Sequence, residues 1–260
     1  MKKLFLIMTV CALFFNCSSD NNVPLNVFES NVNPTFNFTH TWDETSVTND
    51  DFNTISFTNA NGDMMSIERL RYLISNITFH HEDGTQYVIP DYLLVDLNSG
   101  ENLTFESNFD IPKGNYTNVT FTFGFNNDDN YNTSYPDLNS ASWNVPDMLG
   151  GGYHYMQLEG KFIDNTDTEI GYQYHAIRAV NATDPDNLVF QDTFFEVNLG
   201  ETSITNDITF DISMNIAAWF KNPNLWDLNN LHSMMMPDFD AQVMIYNNGQ
   251  DVFSLSGINQ

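Results

Sequence analysis

Six histidines are the side chains in this chain best suited to chemistry: His40, His80, His81, His154, His175 and His232. Three of them sit where the apolar residues of a strand sit. His40 falls in the alternation Phe36, Phe38, His40, Trp42. His154 precedes Met156 and Leu158 at the same spacing, and His175 precedes Ile177. Imidazoles held on separate strands make rigid ligands for copper or zinc, because the neutral ring offers a lone pair. The alternative is three hydrogen-bonded core histidines with no ligand. His80 and His81 stand before Glu82-Asp83-Gly84, a turn, and are expected to face solvent. Met234-Met235-Met236 follows His232, and thioether sulfur is a soft ligand for Cu(I), although methionine also fills core gaps. The acidic segment Asn126-Asn-Asp-Asp-Asn-Tyr131 carries hard oxygens that could hold calcium, but without EF-hand spacing.

Strands must position these groups. Val119, Phe121, Phe123 and Phe125 alternate with Thr120, Thr122 and Gly124, and Ile208, Phe210, Ile212 and Met214 with Thr209, Asp211 and Ser213. Asn61-Gly62, Asp83-Gly84, Lys113-Gly114 and Leu199-Gly200 supply the turns. Many short strands with frequent turns predict an all-β, antiparallel sandwich. Toward the C-terminus the pattern changes to short helices: residues 215–221, residues 228–235, and one capped by Asp238 with Phe239, Val243 and Tyr246 on one face and Gly249 as its stop.

The N-terminus reads as an export signal. Lys2 and Lys3 precede an apolar run over residues 4–15, shorter than the roughly 20 residues that span a bilayer. Asn16-Cys17-Ser18 then resembles a relaxed bacterial lipobox, with lipidation expected on Cys17. The expected organisation is a signal peptide over 1–16, a lipidated tether over 17–33 and one domain over 34–260, in a lipoprotein held at the outer membrane by its acyl chains. Loss of Lys2 and Lys3 takes the formal charge from −26 to −28, a surface that repels nucleic acid. With Cys11 in the signal and Cys17 acylated, no thiol is left for a disulfide or a thiolate metal site. Nucleophile elbows, phosphate loops and His-Glu-X-X-His are absent, so the chain is expected to bind rather than to catalyse.

Several segments together resemble the MbnP-like copper-binding proteins: residues 66–76, Phe123-Gly-Phe-Asn126, Gly152-Tyr-His-Tyr-Met-Gln-Leu-Glu-Gly160, Tyr174-His175, and the tail from Trp219 to Phe253. The resemblance runs over about residues 35–255 in order. It implies an immunoglobulin-like β-sandwich in the bacterial envelope that serves copper acquisition or buffering. His154 and His175 match family histidine positions, His40 lies in the first-strand Phe-X-His pattern, and Trp143 is the candidate for oxidation to kynurenine. A dihaem peroxidase that makes this modification, or an outer-membrane transporter, is the partner the family implies. The chain departs in showing one tryptophan, Trp143, where relatives often show two. The rival expectation is a sandwich without metal that binds glycans through exposed aromatics such as Trp226 or Tyr131.

Overall fold

A computed structural model describes residues 30–260; the expected signal peptide, Cys17 and most of the tether lie outside the described residues. Two β-sheets form the body. The larger is built around the thirteen-residue strand Arg69–His81, with Gly114–Phe123 on one side and Met156–Ile163 on the other, and Glu169–Ala176 beyond the latter. The smaller centres on Thr35–Trp42 and Thr209–Asn215, flanked by Phe253–Asn259. Pairing is antiparallel as expected, except that Thr35–Trp42 and Thr209–Asn215 run parallel.

The sheets meet through aromatic rings. Phe36 stacks on Phe210 at 5.3 Å in the smaller sheet, and Phe79 of the larger meets Phe210 edge-on at 5.8 Å. Each such ring, fully buried, contributes roughly 2–3 kcal/mol. The expected alternation holds in Thr35–Trp42, where Phe36, Phe38, His40 and Trp42 are all buried. In Gly114–Phe123 it does not, since Thr120 and Thr122 are buried as well. The larger sheet is covered on its outer face too, where Leu73 packs with Phe125, Leu138, Trp143 and Tyr153. Asn31 and Val32, expected in the tether, form a short strand paired with Pro112 and Ile111.

The C-terminal expectations fare unevenly. Ile216–Phe220 is a 3₁₀ helix, and Asp238 caps the helix Phe239–Gly249 through its side chain and the Ala241 N–H at 3.0 Å. Residues 228–235 are not helical. Buried Asp63 takes the Leu228 N–H at 3.0 Å and the Asn229 amide at 3.1 Å, and the His232 carbonyl accepts from Gln173 N–H. Those partners replace the i→i+4 bonds of a helix, and Met234 adopts φ 58°. The buried face of the capped helix is Ala241, Ile245 and Asn248 with Gln242, rather than Phe239, Val243 and Tyr246. Gly249 is the last residue of that helix, as expected, and also allows close approach: a Cβ would stand 2.7 Å from Phe195 and Trp219.

His40 belongs to the core between the sheets. Its Nε2 is hydrogen-bonded with the Tyr72 hydroxyl at 3.1 Å, and burial pushes its pKa down to about 4. Gln242, fully buried, joins three segments: its Oε1 accepts from Ile177 N–H at 2.8 Å, and its Nε2 donates to the His175 carbonyl at 2.8 Å and the Met235 carbonyl at 3.0 Å. Replacing Gln242 with Leu leaves three buried backbone groups without partners and should cost about 3 kcal/mol in urea unfolding; a loss under about 1 kcal/mol would contradict this role. The folded pKa of His40 lies below its ordinary 6.5, so its neutral form stabilises the fold above that value. That contribution is lost as pH falls from 6.5 toward 4, at up to about 1.4 kcal/mol per pH unit. His40→Gln, which keeps a hydrogen-bonding group for Tyr72 but does not titrate, should flatten the metal-free stability profile in this window, and an unchanged slope would refute the assignment.

Candidate metal centre

His154 and His175 come together with their ring centroids 5.2 Å apart, edge to face. Their approach depends on a break in strand regularity. His175 lies on the strand Glu169–Ala176, paired with Gln157, on the face away from Tyr174 and the main core. Strict alternation would put His154 with Met156 and Leu158 on the core side. The regular strand starts only at Met156, however. Before it, Gly150, Gly151 and Gly152 all adopt positive φ, and Tyr153 bridges to Asn144. A Cβ on Gly152 would stand 2.6 Å from Asn130 Oδ1, the atom that accepts the Tyr153 N–H at 2.8 Å. This turn delivers His154 to the outer face beside His175.

The protonation of His154 follows from its partners. Its backbone N–H and its ring Nδ1 both lie on the Trp143 carbonyl oxygen, at 3.0 and 2.9 Å. A carbonyl only accepts, so Nδ1 carries a hydrogen. Burial, and then the neighbouring His175, push the pKa down to about 4, so the ring is neutral at physiological pH. Its Nε2 is therefore a bare lone pair. That lone pair faces Met236 Sδ at 3.2 Å, and thioether sulfur has no hydrogen to offer. Two Lewis bases thus stand against each other with no proton to bridge them.

His175 is held by a carboxylate. Its Nε2 is 2.7 Å from Glu159 Oε1, and Glu159 also takes Arg69 at 2.8 Å. The hydrogen bond from His175 is the main reason the Glu159 carboxyl is held below its ordinary pKa. With Nε2–H donated to Glu159, Nδ1 is the ring nitrogen left over. A carboxylate behind a histidine is the usual support of a metal-ligating imidazole. Trp143 lies against His154 at 5.6 Å, fully buried, with Arg71 over its ring at 5.1 Å and, among the described residues, no hydrogen-bond partner for its Nε1.

These contacts alter the expected ligand set. His40 is bonded to Tyr72 between the sheets and is not brought to His154 and His175; alternation gave its face correctly, but that face looks into the other side of the larger sheet. Among the described residues no three His, Cys, Asp or Glu side chains form a metal cage. The donor that residue-type reasoning left unplaced is Met236, packed beside Val145, Leu149, Ile177 and Val180. Two of the oxygens considered for calcium serve the protein itself: Asn126 Oδ1 accepts from Asp128 and Asp129 N–H, and Asn130 Oδ1 from Tyr153 N–H. His80 and His81 are half-buried rather than solvent-facing, with His80 against Thr120 and His81 against Asp83 and Tyr116. Trp226 is buried, its indole N–H on the Leu231 carbonyl at 2.9 Å, so it cannot form an exposed glycan platform with Tyr131.

The donors fit a soft first-row ion. Atoms 3.2 Å apart can both lie within the roughly 2.0–2.3 Å bond lengths of nitrogen and sulfur to one metal. Imidazole with thioether favours Cu(I) over the hard divalent cations.

No curated protein matches the chain. Among solved structures, MbnP from Methylosinus trichosporium is similar at 12% identity and a TM-score of 0.47, covering 75% of this chain and 79% of that one. The family model described as MbnP matches residues 30–236, most of the described domain, and the chain belongs to the MbnP family.

Proposed function

We propose that this protein binds one Cu(I) ion without catalysing a reaction, in copper acquisition or buffering. His154 Nε2 and Met236 Sδ are the primary ligands, and His175 completes the set from the cavity wall. The observation that carries this reading is the bare Nε2 lone pair facing a thioether at 3.2 Å. Membership of the MbnP family supports the same ion, since the resemblance carries an expectation of copper. The two side chains act by holding unprotonated donors at one point. Glu159 orients His175, the Trp143 carbonyl orients His154, and Val145, Leu149, Ile177 and Val180 pack beside Met236.

Anaerobic Cu(I) titration against a competing chelator tests the reading on residues 30–260. The parent should bind one ion tightly. His154→Ala and Met236→Leu should each weaken binding by at least about tenfold, or ~1.4 kcal/mol. Equal affinity in parent and variants, or none in the parent, would overturn it.

The same proposal places the protein in the cell envelope, anchored by lipid on Cys17. The basic n-region, the short apolar run and the Cys17 context support this. Palmitate labelling should require Cys17; labelling that persists in Cys17→Ala would contradict the anchor.

A further inference from the structure

A cavity of about 510 Å³ opens beside the metal centre, and its lining is unusual for a simple packing defect. Four of the chain's 11 methionines line it, Met148, Met234, Met235 and Met236, and so does His175. No charged side chain is among the lining residues, which otherwise include Pro146, Leu149 and Pro237. The methionines stand at different depths. Met148 and Met234 are 76% and 74% exposed, Met235 is buried, and half-buried Met236 meets His154. Consecutive residues reach three depths because Met234 turns the chain in the left-handed region at φ 58°. The tract is then pinned from behind, by Gln242 on the Met235 carbonyl and by Gln173 on the His232 carbonyl.

We infer that this cavity is the route by which Cu(I) enters and leaves, and that Met148 and Met234 at its mouth hold a second, weakly bound Cu(I) ion in exchange with the inner one. The inference rests on the copper reading of His154 and Met236. Its own support is the placement of soft, neutral sulfur donors from the surface inward. Exposed methionine gains little from burial, so packing does not explain Met148 or Met234. A monovalent soft cation can bond to the thioether sulfurs, which leucine in their place could not offer. Neutral thioethers also hold the ion loosely enough to pass it on, because they add no charge to retain it. The strongly acidic chain favours the approach of any cation without selecting copper; selection falls to the sulfurs.

The test compares the parent with Met148→Leu/Met234→Leu, a change that preserves volume and apolarity at exposed positions. Cu(I) is added anaerobically to more than one equivalent, and transfer of the tight ion to a chelator is timed. The parent should take up a second, weaker equivalent. The double variant should keep the tight ion at unchanged affinity, lose the second equivalent, and release the tight ion about tenfold more slowly. A variant that retains the second equivalent and the parent's release rate overturns the inference while leaving the inner site standing. Weak uptake that depends on Met148 and Met234, in a parent lacking a tight ion, would retain the mouth site and refute the inner one. No Cu(I) uptake by the parent would refute both.

Discussion

The Trp143 carbonyl oxygen fixes the chemistry of this site. It receives two hydrogens from one residue, the backbone N–H and the ring Nδ1–H of His154. This double contact decides which ring nitrogen is protonated and aims the other one. An imidazole free to choose its tautomer could instead place a hydrogen on Nε2, toward Met236. Here the lone pair points there in the neutral ring, and burial keeps the ring neutral. The site is thus preorganised for an electrophile before any ion arrives, so little reorganisation opposes binding.

Holding that carbonyl in place requires much of the outer face of the larger sheet. Trp143 follows a short helix, Pro136–Ser140, and its own N–H returns to the Leu138 carbonyl. Leu138, Phe125 and Tyr153 pack around its ring, and the Tyr153 hydroxyl accepts the Tyr135 N–H at 2.9 Å. On the opposite side Gln242 bonds both the His175 strand and the methionine tract, so candidate donors from distant stretches of sequence share one anchor. The aromatic core between the sheets supplies stability, while the polar anchors on the outer face supply position. The two tasks are separated by the strand Arg69–His81, which is buried on both faces.

Much of this was legible in the sequence, and the gaps have physical causes. Period-two alternation identified the strands, the sandwich and the inward face of His40, because alternation records which side of a strand is dry. It does not record which sheet lies opposite, so His40 was grouped with histidines it never meets. The motif Gly152-Tyr-His marked His154, yet regular alternation assigned its ring to the core side; three successive positive-φ glycines are what reverse it. The methionine tract resembled a helix because its tertiary partners, Asp63, Gln173 and Gln242, come from remote segments. Gln242 itself had no signal beyond being polar in a capped helix. The helix cap at Asp238, by contrast, is a local contact and was read correctly.

The proposed ion would sit between a bare His154 Nε2 and Met236 Sδ. Long-range proton–nitrogen NMR at neutral pH, before and after one equivalent of Cu(I), addresses this directly. The metal-free protein should show His154 protonated at Nδ1 and bare at Nε2. On addition of copper, the Nε2 resonance and the Met236 methyl should shift together. An Nε2-protonated ring in the metal-free protein, or a Met236 methyl that does not move, would contradict the account.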